Sequence, residues 1–211
     1  MTIRSESGSK VVEEVARSDI LSAETRAPFA LRAPLITGFE DAKGLVASGR
    51  LSGATIDALI RIPYGDPTNG EAAVYALGTA KVRRRNARRV VLALVAILED
   101  STLKNEVRAQ APEGIGVHVH HKQRALRRLA VNALRRQLRD PSPDVRFWSA
   151  FGLALLSARE ARHDLRRLQH DQAIVPGWWS VGDEASDALD IIEGRIPPER
   201  LGPHHSTRRR A

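Results

Sequence analysis

A step of 36 to 38 residues runs through the chain from about residue 70 onward, and it constrains the fold more than any other feature. The segment Val107-Arg108-Ala109-Gln110-Ala111-Pro112-Glu113-Gly114-Ile115 lines up without gaps on Val145-Arg146-Phe147-Trp148-Ser149-Ala150-Phe151-Gly152-Leu153, an offset of 38. Another 38 residues back from Ile115 lies Leu77, and 36 on from Leu153 lies Leu189. Each of these apolar anchors has a small residue beside it: Gly78, Gly114, Gly152 and Ala188. A period of this length is the mark of a repeated supersecondary unit that cannot bury its apolar face alone and must stack on its neighbours.

The unit reads as helix, turn, helix, then Asp and a turn. Second helices end in Leu94 to Asp100, Leu134 to Asp140 and, shorter, Leu165 to Asp171. Ala, Leu, Arg and Glu dominate the middle of the chain, aromatic residues are 4%, and no β-branched alternation is sustained, so helices are expected throughout. Capping chemistry marks the same boundaries. Ser142 precedes Pro143 and Asp144, Ser180 precedes Asp183 and Glu184, and Thr37-Gly38-Phe39-Glu40 has capping-box spacing for a helix that Gly49 can close. Leu51 to Ile62 places Ile56, Leu59 and Ile60 on one face. Pro112 falls inside a first helix and is expected to kink it.

The expected organisation is an irregular segment over 1–36, a capping helical pair over 37–69, the repeat array over 70–194 and a disordered basic tail over 195–211. Met1 to Lys10 lacks an apolar core, and Val90 to Leu98 is too short to cross a bilayer and follows five arginines. With no cysteine, disulfides, thiolate zinc sites and cysteine nucleophiles are excluded. The chain therefore reads as soluble and cytoplasmic, with no membrane partner.

From Gly70 to Gly194 the sequence resembles bacterial proteins of the HEAT-repeat superfamily, most of all the HEAT-like type found in phycocyanobilin lyase subunits. Leu138-Arg139-Asp140-Pro141-Ser142-Pro143-Asp144-Val145-Arg146 with Gly152-Leu153 carries the likeness, and Val175 to Ala185 looks like a terminal unit of such arrays. The resemblance implies an all-α, right-handed solenoid with outer first helices and inner second helices lining a concave face. It also raises, by likeness alone, a lyase-like handling of a tetrapyrrole.

Charge is concentrated. The chain carries +8, and the stretch from Arg83 to Arg139 alone holds 14 basic and 4 acidic residues. At 100° per residue, Leu126, Leu129, Ala130, Ala133, Leu134 and Leu138 share one face of the helix over Lys122 to Arg139, and Arg124, Arg127, Arg128, Arg135 and Arg139 share the other. Arg85, Arg88 and Arg89 lie opposite the stripe of the preceding second helix. These eight arginines form a candidate basic face, for a protein partner first and for nucleic-acid phosphates second. Stacking aromatics are not interleaved with them, and no DNA-binding module is recognisable.

Other features carry less chemistry. The recurrent Asp100 with Arg108 and Asp140 with Arg146 reads as structural, the carboxylate accepting N–H groups of the next helix start and pairing with an arginine of an adjacent unit. Val117 to His121 holds three histidines without a carboxylate at metal-ligand spacing, so solvent-exposed loop histidines are expected and no metal. Trp178 and Trp179 form a candidate aromatic anchor, one packed on the last helix pair and one exposed. No nucleophile elbow, phosphate loop or dinucleotide motif is present, so the expectation is an interaction module with no cofactor, not an enzyme.

Overall fold

The computed structural model describes residues 36–66, 68–120 and 122–197. The expected irregular segment before residue 36 and the tail beyond 197 lie outside them. Among the described residues the chain is helical, with isolated bridges in place of strands. The elements are α1 (Phe39–Ala47), α2 (Gly53–Gly65), α3 (Gly70–Thr79), α4 (Arg84–Glu99), α5 (Asn105–Ala109), α6 (Ala111–His118), α7 (Arg124–Gln137), α8 (Pro143–Leu155), a 3-10 turn (Arg159–Ala161), α9 (Arg162–Leu168) and α10 (Val181–Ile192). No described helix is long and apolar enough to cross a membrane.

Helix ends follow the local chemistry. Ser180 Oγ accepts the Asp183 N–H at 3.0 Å, and Ser52 Oγ accepts that of Thr55 at 3.0 Å. Gly49, at φ 116°, turns the chain after α1 in the left-handed region. At α1 the capping partner differs from expectation: Thr37 gives its N–H and its hydroxyl to Asp41, at 2.9 and 2.6 Å, while Glu40 pairs with Lys43. Ser142 does precede Pro143 at the start of α8, but its own N–H is held by Asp140 Oδ1 at 2.9 Å and its hydroxyl makes no cap. Pro112 does more than kink its helix. It stands in the first turn of α6, and α5 ends before it at Ala109.

Packing follows the step. First helices stack in series, α1 on α3, α3 on α6, α6 on α8 and α8 on α10, and each second helix lies mainly against the first helix of the following unit, α2 on α3, α4 on α6, α7 on α8 and α9 on α10. The anchors Leu77, Ile115 and Leu153 are fully buried and Leu189 is nearly so. The small residues beside them let the first helices come together: a Cβ on Gly114 would collide with the Gly78 backbone, and one on Gly152 would stand 2.7 Å from the Pro112 carbonyl oxygen. Only glycine fits either crossing.

The recurrent Asp and Arg join successive units. Asp140 Oδ1 holds the Ser142 N–H, while its other oxygen takes Arg108 of the preceding first helix. Asp171 repeats the pattern, taking the Ala173 N–H at 3.0 Å and Arg146 Nε at 2.7 Å. Arg108 Nε also donates to the Leu98 carbonyl at 3.1 Å, and Arg146 to that of Asp140 at 2.7 Å, which satisfies acceptors at the ends of second helices. Asp100 keeps the turn half, with Thr102 N–H at 2.9 Å. Gly70 stands where a 38-residue step back from Arg108 would place its arginine.

Candidate functional site

The arginine face is heavily engaged in holding second helices together. Arg89 of α4 pairs with Asp57 of α2, Arg127 of α7 with Glu160 at 2.5 Å, and Arg135 with Asp164 of α9 at 2.7 Å. Arg139 lies 3.8 Å from the same Asp164. Arg136 joins Glu99 of α4, and Arg166 joins Glu193 after α10 at 2.8 Å. A different role is open to Arg85 and Arg88, near the start of α4, and to Arg124 and Arg128, near the start of α7. All four are exposed, and none has an ion pair among the described residues. Neither helix has an acidic residue in its first turn, so these cations oppose the helix dipole where they stand. They contribute charge without contributing helix stability.

A cavity lies elsewhere. It encloses about 590 Å³ and is lined by first helices and the turn before α10, with no residue from a second helix. The resemblance had placed the groove on the second helices. Seven aromatic side chains line it: Phe39, Tyr75, Phe147, Trp148, Phe151, Trp178 and Trp179. The whole chain has nine, so this one surface gathers most of them. Six carboxyl groups join them, from Glu71, Glu106, Glu113, Asp144, Glu184 and Asp187, and among the described residues no Lys, Arg or His lines the cavity. A chain of net charge +8 thus gathers acids and aromatic rings in a cavity of its first helices, while Arg85, Arg88, Arg124 and Arg128 stand on second helices.

The repeat explains how these side chains meet. Glu106 and Asp144 are 38 residues apart, as are Ala109 and Phe147, and Gln110 and Trp148. Tyr75, Glu113 and Phe151 follow the same step, and 36 residues beyond Phe151 and Trp148 stand Asp187 and Glu184. Equivalent positions of stacked helices share a face, so residues far apart in sequence become one wall. Sequence reasoning missed this groove because it followed the arginines. The signal was in the same step, at the positions flanking the anchors.

The aromatic rings of the cavity fall into two contacting groups. Trp148 meets Trp178 edge-on at a centroid distance of 5.0 Å, Phe147 lies 5.6 Å from Trp179, and Phe39 lies 5.6 Å from Tyr75. The two adjacent tryptophans do not point to opposite sides. The Pro176-Gly177 turn, with Gly177 at φ 80°, replaces the extended backbone on which that expectation rested, and their rings meet at 5.6 Å. Trp179 is buried and its Nε1 donates to Glu184 Oε2 at 3.1 Å. Trp178 is half-buried and lines the groove.

Glu184 is the most constrained acid of the site. Only 2% of it is exposed, and its second oxygen, Oε1, has no hydrogen-bond partner among the described residues. Burial first, and then the neighbouring Asp187 charge, push its carboxyl up to about 8 against the opposing effect of the Trp179 hydrogen bond. Burial also raises the Glu113 carboxyl. Of the histidine cluster, His118 is not a loop residue: it ends α6, half-buried, and Nε2 donates to the Leu77 carbonyl at 3.1 Å, while burial lowers its pKa. His121 lies outside the described residues, and no group of metal-ligating side chains occurs among those described.

No protein-family model, no curated protein and no solved structure matches this chain.

Proposed function

We propose that this chain is an interaction module, a short solenoid of HEAT-like helix pairs that holds an extended, cationic segment of a partner protein along its first helices. The observation that carries this reading is the groove of about 590 Å³ whose described lining combines seven aromatic rings with six carboxyl groups and no base. Aromatic faces and carboxylates both attract organic cations, the first through the ring quadrupole and the second through charge. Rings also supply the rigid apolar area on which binding hot spots are built. A basic peptide with apolar residues between its cations matches both properties at once.

The test uses the full chain and two labelled peptides, one alternating Lys and Leu, the other alternating Glu and Leu, followed by fluorescence anisotropy. The Lys peptide binds and the Glu peptide does not. Changing Trp148→Ala and Asp144→Asn together weakens the Lys peptide at least about tenfold. Equal binding of both peptides, or indifference to the double change, overturns the reading.

A second reading rests on a separate observation, the four arginines without described ion pairs at the starts of α4 and α7. They suit a polyanion such as nucleic acid, and the opposite charge of the two surfaces means that one chain can engage both kinds of partner. Duplex binding of this kind falls with salt at a log–log slope near −0.9 per phosphate contacted.

A further inference from the structure

We infer that the end of the groove formed by Trp148, Trp178 and Glu184 is an anchor pocket for a single lysine side chain, its ammonium held by Glu184 Oε1 and its methylene stem laid on the indole rings. The inference rests on the reading of the groove as a cation-binding surface, and it names which cation and where. Glu184 lines the cavity, yet it is 2% exposed and one of its two oxygens has no partner among the described residues. Leaving a buried carboxyl oxygen unpaired is costly, and a donor arriving from the cavity removes that cost. Oε1 is screened at rest, so the incoming ammonium has to displace the cavity wall slightly to reach it while Trp179 keeps Oε2.

The surroundings select the donor. Trp179 Nε1 already occupies Oε2 at 3.1 Å, which leaves one acceptor oxygen. A guanidinium gains most from two parallel hydrogen bonds to one carboxylate, whereas an ammonium is a point charge served by one. Phe147, Trp148 and Trp178 stand with ring centroids 5.0 to 5.9 Å apart and offer an apolar lining for a four-carbon stem, with cation–π attraction at its end. No basic side chain among the described residues lines the cavity, so a cationic ligand meets no like charge from them.

All three tryptophans of the chain line this cavity, so intrinsic fluorescence reports on it without a label. The full chain is titrated at pH 8.5 and constant ionic strength with n-pentylammonium, 1-pentanol and n-pentylguanidinium. Pentylammonium gives a saturable shift of tryptophan emission, and the neutral alcohol binds at least about tenfold more weakly, the worth of one charged hydrogen bond. Pentylguanidinium falls between them. Glu184→Gln, nearly isosteric, removes the preference for ammonium over alcohol while the circular dichroism spectrum stays unchanged. Trp178→Ala weakens all three probes together and serves as the second variant should Glu184→Gln fail to fold.

Equal binding of alcohol and ammonium, a guanidinium that binds as tightly as the ammonium, or an unaltered preference in Glu184→Gln each overturns the lysine pocket. If no small probe shifts the emission while the Lys-Leu peptide still binds, the anchor is wrong and the groove stands. Should the peptide fail as well, the groove reading falls with it.

Discussion

Arg108 and Asp140 form an ion pair between the first helix of one unit and the turn that opens the next, with both side chains almost wholly buried, at 6% and 5% exposure. Each partner also has other bonds. Arg108 donates to the Leu98 carbonyl, and Asp140 holds the Ser142 N–H, so one contact ties three turns of the chain. Removing one member of such a pair leaves the other charged, buried and unpaired. Arg108→Ala is therefore expected to destabilise by about 3–5 kcal/mol. Replacing both partners, Arg108→Met with Asp140→Leu, is expected to cost less than either single change. A urea-unfolding double-mutant cycle reads the difference; additive effects would show that the pair has no mutual worth.

The crossing of Gly78 and Gly114 gives a second test. Gly114→Ala puts a methyl group into the Gly78 backbone, and α3 and α6 must separate to admit it. Overpacking of this kind costs about 1–3 kcal/mol. Gly44→Ala in α1 meets nothing within 4 Å and should stabilise by about 0.4–1 kcal/mol through the loss of unfolded-state freedom. The thermal midpoints of the two variants should move in opposite directions.

The buried Glu184 carboxyl makes stability depend on pH. Its pKa rises from 4.5 to about 8 on folding, so between those values the native chain holds a proton that the unfolded chain has released. The contribution is fully present below pH 4.5 and is lost as pH rises toward 8, with a slope of up to about 1.4 kcal/mol per pH unit. Glu184→Gln abolishes that slope. Urea midpoints of wild type and variant from pH 5 to 8.5 isolate it from other groups, and parallel curves would refute it.

The arginines of the second helices should divide into two classes. Charge reversal at Arg127 and Arg135 sets like charges against Glu160 and Asp164 and lowers the melting temperature. Reversal at Arg85, Arg88, Arg124 and Arg128 places acids near helix starts, where they suit the dipole, and leaves the melting temperature equal or higher. If the second set also abolishes low-salt DNA binding and the first does not, the polyanion surface lies at those helix starts. Retained DNA binding in the second set removes that reading.

Much of the helical framework was legible because it is written in short-range chemistry. The anchors Leu77, Ile115, Leu153 and Leu189, the starts at Ser142 and Ser180, the stop at Gly49 and the short helix ending at Leu168 all follow from local patterning. The Asp–Arg ladder was legible too, since its members recur with the step. Trp178 and Trp179 were misjudged because a turn residue, Gly177, reoriented them. The capping-box reading of Thr37 missed its partner by one position, because Asp41 reaches both donors of Thr37.

Local patterning along the chain defines the unit: its length, its helices, their apolar stripes and the small residues where helices cross. Those properties depend on neighbours within one turn or one step of the chain. Only the tertiary structure decided which faces meet and what chemistry they gather. Phe39, Tyr75, Trp148 and Trp178 are dispersed in the sequence and share one cavity because stacking brings equivalent faces of first helices together. Arg135 looked like a free cation until the next unit supplied Asp164. Burial and pairing are properties of the stack, and they gather acids and aromatic rings of a basic chain into one cavity.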